Sequence, residues 1–145
     1  MHVFLRRALL VVGVLAAACG GDGGEVADEP GGPVRAGPLV VLVRYGGLAG
    51  SSDRVAVEAS GEATIISERS ATPTVLTLPP ADLASLRTAL ERSEIATLDR
   101  NYLDPRAADA YQFDVTYQGV TVTADEGVLP AKLRPVVDQL AKLLP

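Results

Sequence analysis

The only cysteine of this chain, Cys19, stands directly after a short apolar run ending in three alanines, and that placement limits what the rest can fold into. With one cysteine no disulfide can close within the chain, so packing and hydrogen bonding alone must hold the fold. Arg6 and Arg7, the apolar stretch Ala8 to Leu15 and the small residues Ala16 to Ala18 follow the charged, apolar and cleavable parts of a secretory signal peptide in order. A membrane-spanning helix needs about 20 apolar residues, and Ala8 to Cys19 is too short for one. Residues 1–18 are expected to be removed on export, leaving Cys19 first in the mature chain.

Removal of that segment takes away the only methionine, Met1, and the only histidine, His2, in a chain without tryptophan. Catalysis by a histidine-activated serine or cysteine and histidine-based zinc or haem ligation are then excluded by inventory. Arg6 and Arg7 leave as well, so the remaining basic residues are well outnumbered by eighteen acidic ones. Nucleic acid, whose binding needs a basic surface, is not an expected partner, and the scattered arginines read as solvated surface. The Leu15–Cys19 segment resembles the lipobox of bacterial lipoproteins. That resemblance implies a lipidated Cys19 whose sulfur is a thioether rather than a reactive thiolate, and an exported protein anchored to a membrane of the cell envelope.

From Gly20 to Pro38 the chain is Gly, Pro and acid with few apolar residues, too little to offset the cost of ordering. Residues 19–38 are expected to act as a flexible tether, with a coil of that length spanning roughly 25 Å. The remainder, residues 39–145, reads as one folded domain, and a hydrophobic content of 48% is enough for its core.

Leu39 to Tyr45 is a β-branched apolar run expected to be a strand buried on both faces. Arg54 to Glu58 alternates, Ser60-Gly61 turns, and Ala63 to Glu68 returns, as a hairpin does. Thr74 to Leu78 is a short extended piece after Pro73. Pro79-Pro80-Ala81-Asp82 opens a helix whose apolar face is Leu83, Leu86 and Leu90. Tyr111, Phe113, Val115 and Tyr117 alternate with polar residues, and Gln118-Gly119 turns that strand into Val120 to Asp125. Leu133, Val136, Val137 and Leu140 recur at helical spacing, with the main helix starting at Pro135. This order predicts an α+β domain, an antiparallel sheet of four to five strands with two helices packed on one face.

The least ordinary segment is Gly46-Gly47-Leu48-Ala49-Gly50, three glycines around one leucine, between Arg44-Tyr45 and Asp53-Arg54. Glycine is required where the backbone takes positive φ or closely approaches another surface. Arg44 with this loop, Leu83 with Leu86, Tyr102 with Pro105, Asp109 to Phe113, Gly119 to Val122, and Pro130 with Leu133 and Leu140 follow one another in the order of a known family. The domain resembles the protealysin inhibitor emfourin family over about residues 39–144, with Leu48 where phenylalanine is common. The resemblance implies a proteinaceous inhibitor of thermolysin-like zinc metallopeptidases, in which residues 46–50 would insert Leu48 into the pocket that follows the scissile bond. Arg44, Tyr45, Asp53 and Arg54 are candidate rim residues, and no catalytic residue, metal or cofactor is expected.

Two other classes compete. A cofactor-free enzyme would need paired carboxylates, and Asp104, Asp109, Asp114, Asp125 and Glu126 are candidates without diagnostic spacing; a non-enzyme is expected. A non-catalytic interaction or structural lipoprotein of the envelope is the alternative, and a monomer is expected in each case.

Overall fold

The computed structural model describes residues 37–47, 50–107 and 109–145. The expectations for the signal segment, Cys19 and most of the tether lie outside the described residues, as do Leu48 and Ala49.

Strand β1 (Val40–Gly46) is the middle of the sheet, with β2 (Ser51–Val57) on one side and β6 (Tyr111–Tyr117) on the other. Outward from β2 come β3 (Glu62–Ser67) and β4 (Thr74–Thr77); outward from β6 come β7 (Val120–Asp125) and β5 (Asn101–Tyr102). Helix α1 (Pro80–Ser93) and a 3-10 turn (Ile95–Thr97) follow β4, and helix α2 (Arg134–Ala141) follows β7. The architecture is α+β.

Strand number and pairing differ from expectation. The sheet has seven strands rather than four to five, in the order β4-β3-β2-β1-β6-β7-β5, and it is mixed, because β5 runs parallel to β7. The two-residue β5 is held by register: Asn101 and Tyr102 lie beside Thr123 and Ala124, and the Thr123 N–H donates to the Arg100 carbonyl at 2.8 Å. The expectation that β1 is buried on both faces is also corrected. Val40 and Leu42 are fully buried, whereas Val41 and Val43 are half-buried. The buried residues of both helices join Val40, Leu42, Val55, Val57, Phe113, Val115 and Val122 in one core, so only one face of β1 is sealed.

Local chemistry explains the best-formed pieces. Gln118 and Gly119 both have positive φ, the requirement of a tight two-residue hairpin between Tyr117 and Val120. In α1 the Pro79 carbonyl accepts from the Leu83 N–H at 3.0 Å, and proline at the start forfeits only an N–H that has no helical partner. The same logic starts α2 at Arg134 with Pro135 in its first turn, after a turn in which Leu133 and Arg134 donate to the Pro130 carbonyl. An exposed Lys132–Glu94 ion pair links that turn to the end of α1.

Candidate functional site

Strands β1 and β2 stay paired up to Gly46 opposite Ser51, which leaves residues 47–50 as the connection. The Gly50 N–H donates to the Gly47 carbonyl at 3.1 Å and closes it as a turn. Gly46, Gly47 and Gly50 have φ of +97°, +68° and +58°. Two of them also meet a crowded neighbour. A Cβ on Gly46 would lie 2.8 Å from the Ala110 carbonyl oxygen, and one on Gly47 would lie 2.8 Å from Cε1 of Tyr111. The Gly47 N–H donates to the Ala110 carbonyl at 3.3 Å, so the base of the loop rests on residues 110–111.

This geometry separates the glycines by experiment. Gly47→Ala combines unfavourable φ with a clash against a ring, and is expected to destabilise by on the order of 1–3 kcal/mol. Gly50→Ala meets nothing within 4 Å, and should cost only the conformational term of about 1 kcal/mol. Urea unfolding of the two variants checks this; equal losses would mean that contact with Tyr111 contributes nothing.

Below the loop, on the helix-facing side of the sheet, a charged cluster centres on a buried carboxylate. The Asp53 carboxylate is 1% exposed. Its Oδ2 accepts from Arg44 Nη2 at 2.6 Å and lies 3.5 Å from Arg69 Nη2, while Oδ1 accepts from Ser67 Oγ at 2.5 Å. Arg44 lies with its guanidinium carbon 5.0 Å from the centre of the Tyr111 ring, a cation–π arrangement. Arg44 and Arg69 both donate to the Pro145 carbonyl oxygen, at 2.9 and 3.1 Å. Arg44 Nε is buried without a partner, and is the one such side-chain atom among the described residues.

Burial opposes ionisation of Asp53, but the hydrogen bonds from Ser67 and Arg44 and the charges of Arg44 and Arg69 outweigh it and hold the carboxyl below its usual range. A carboxylate depressed in the folded state stabilises the fold above its unfolded value of about 3.9. That contribution is lost as pH falls through the lower folded value. Acid titration of stability should therefore show a steeper decline below about pH 4 in the parent chain than in Asp53→Asn. Parallel curves would place the acid response elsewhere.

The four candidate rim residues divide between the two faces. Arg44 and Asp53 face inward, and Asp53 is not a rim group at all: it is sealed beneath the loop because it shares strand parity with the buried Val55 and Val57. Tyr45 and Arg54 lie on the opposite face, where the Tyr45 hydroxyl reaches Asp114 Oδ1 at 3.4 Å. Burial, followed by the charge of Asp114, raises the Tyr45 pKa. Ser67, Arg69, Tyr111 and Pro145 were not among the sequence candidates. Ser67 has the parity of buried Ile65, so its direction was readable, but its partner depended on strand register.

Three of the five carboxylates considered for catalysis, Asp104, Asp114 and Asp125, are engaged in local structure. Asp104 Oδ1 accepts from the Arg106 N–H at 2.9 Å, and Asp125 accepts from the Asp104 N–H and from Gln112. Asp114 accepts from Thr123 Oγ1 at 2.6 Å. Among the described residues no group of three or more His, Cys, Asp or Glu side chains is placed to hold a metal ion. A groove of about 430 Å³ lies between the two helices, lined by Leu78, Leu86, Leu140, Asp82 and Lys142 among the described residues. No protein-family model matches the chain, and no curated protein matches it.

Proposed function

We propose that this chain is a lipid-anchored envelope protein that inhibits thermolysin-like zinc metallopeptidases by inserting the loop Gly46–Gly50, without chemistry of its own. The observation that carries the reading is the support beneath that loop. Its base rests on the Ala110 carbonyl and the Tyr111 ring, above the Arg44–Asp53 pair. A loop stiffened before binding loses little conformational freedom on docking, and so keeps more of the free energy that its contacts supply. Leu48 would be the anchor, and full burial of a leucine contributes roughly 1.5–3 kcal/mol. Backbone groups of the turn would add hydrogen bonds to the peptidase cleft.

This reading gives the flanking residues a supporting role. Arg44 and Asp53 support the loop from below and do not contact the peptidase. Tyr45 and Arg54 lie on the other face, beside the loop, and remain the candidate rim residues. Lipidation of Cys19 would hold the domain at a membrane, where two acyl chains or more are needed for stable anchoring.

The test is titration of a thermolysin-like peptidase with residues 35–145. Competitive inhibition at a one-to-one ratio, with the inhibitor recovered uncut, is expected. No inhibition at a large molar excess, or cleavage of the loop as an ordinary substrate, would leave the alternative of a non-inhibitory envelope lipoprotein.

A further inference from the structure

The connection between β1 and β2 is too short to hold another protein by itself. A standard protein–protein interface takes about 800 Å² and 20–30 residues from each partner, and residues 47–50 with Tyr45 and Arg54 fall far short of that. The rest of any contact made through this loop comes from chain that leaves the sheet at the same end. Strand register identifies that chain. Gly46 lies opposite Tyr111, where β6 begins, and Gln112 lies opposite Asp125, where β7 ends. Strand β5 runs parallel to β7 with Tyr102 beside Ala124, so it ends there too. Ser67, the last residue of β3, pairs with Asp53 near the start of β2. Residues 68–73, 103–110 and 126–128 therefore border the end of the sheet that carries the glycine loop.

The three segments differ in what they offer. Residues 68–73 contain no leucine, isoleucine, valine or aromatic residue, and Arg69 among them is turned to Asp53 and Pro145. Leu103 is 54% exposed and Val128 is 40% exposed. An exposed leucine is ordinary when it stands alone on a surface, but Leu103 opens a turn that is tied down. The Ala107 N–H donates to the Asp104 carbonyl at 3.0 Å, Asp104 Oδ1 accepts from the Arg106 N–H, and Pro105 between them fixes φ. The Asp104 N–H donates to Asp125 Oδ2 at 2.7 Å, and the other oxygen of that buried carboxylate accepts from Gln112. The turn and its leucine are thus ordered without a partner.

We propose that residues 103–107 form a second contact with the peptidase that the glycine loop enters, with Leu103 and Val128 meeting an apolar patch at the border of its active-site cleft. The proposal rests on the inhibitory reading and extends it. Strand β5 is third from β1 in the sheet, which sets the turn about 14 Å from the loop along the sheet end. A patch of about 800 Å² is roughly 30 Å across, so one partner covers both. Two ordered loops also lose little freedom on docking. A single loop can pivot about its tip, whereas one held at a second point enters the cleft in one orientation.

Every core residue lies within residues 40–140, and the chain from Arg35 onward is a compact unit, so residues 35–145 serve for the test. Inhibition constants against a thermolysin-like peptidase are measured for the parent and three variants, each checked by urea unfolding. Leu103→Asp is expected to weaken inhibition at least about tenfold, because it removes an apolar contact and sets a charge against an apolar patch. Leu103→Gln, uncharged and of similar length, should weaken it at least about threefold, and serves if Leu103→Asp does not fold. Val75→Asp makes the same charge change at a side chain 59% exposed on the opposite edge strand, β4, and should leave inhibition within about twofold of the parent. A parent that inhibits and is matched within about twofold by the folded Leu103 variants would overturn the second contact and leave loop insertion standing. An equal loss in Val75→Asp would overturn it as well, since the effect would then follow net charge. No inhibition by the parent would remove loop insertion and the second contact together.

Discussion

Leu48→Asp is expected to weaken inhibition of a thermolysin-like peptidase by at least about a hundredfold. On the loop-insertion proposal the variant would remove an apolar anchor worth roughly 1.5–3 kcal/mol and add a charge that an apolar pocket does not solvate, which would cost more still. Each 1.4 kcal/mol is a tenfold change in the dissociation constant. The substitution falls in the connection between β1 and β2 rather than in a strand, so the unfolding free energy should stay within about 0.5 kcal/mol of the parent. Inhibition constants measured for the two chains, each checked by urea unfolding, decide the matter. Equal inhibition by parent and variant would remove Leu48 from the contact and with it the loop-insertion reading. Leu48→Phe offers the complementary arm, and should match or improve on the parent if the pocket takes bulky apolar groups.

Asp53→Ala should give the largest loss of stability of any single change near the loop, about 3–5 kcal/mol. Asp53 is buried with two hydrogen-bond donors and a second arginine around it. Its removal leaves the Arg44 guanidinium, whose side chain is only 14% exposed, without its counter-charge. Breaking such a pair costs far more than the pair itself contributes, because the remaining charge stays desolvated. Against a total stability of about 5–15 kcal/mol for a domain, the variant should unfold at much lower urea. Pairing it with Arg44→Leu should recover part of the loss, since an apolar pair needs no counter-charge. A loss below about 1 kcal/mol for Asp53→Ala would show that water already reaches the cluster.

The readable and unreadable parts of this fold divide by the range of the interactions that set them. The hairpin at Gln118-Gly119 was legible because turn chemistry and strand alternation both lie within a dozen residues. Both helix starts were legible from Pro79-Pro80 and Pro135 for the same reason. Strand β5 was not, because two residues carry no periodicity and Asn101-Tyr102 is a strand only by lying beside Thr123-Ala124. The one-sided burial of β1 was misread because Val41 and Val43 are as apolar as the core positions between which they alternate. Periodicity cannot report a face that is apolar without being covered.

The glycine loop was visible in composition, but its support was visible only in part. Parity with Leu42, Val55 and Ile65 turns Arg44, Asp53 and Ser67 inward, and that much could be read along each strand. That the three meet depends on the register of three strands, and that Arg69 and Pro145 join them depends on the whole chain returning. No local pattern encodes either.

Pro145 gives the loop an unusual dependence on order of assembly. Its carbonyl oxygen joins Arg44 at a separation of 101 positions, so one of the two Arg44 contacts that brace the hairpin waits for Pro145 to dock. A polypeptide emerging from a ribosome or a translocon presents Gly46–Gly50 long before that latch exists. Any binding that requires this brace therefore begins only once Pro145 has docked, and loss of the segment around Pro145 would slacken the loop without touching it.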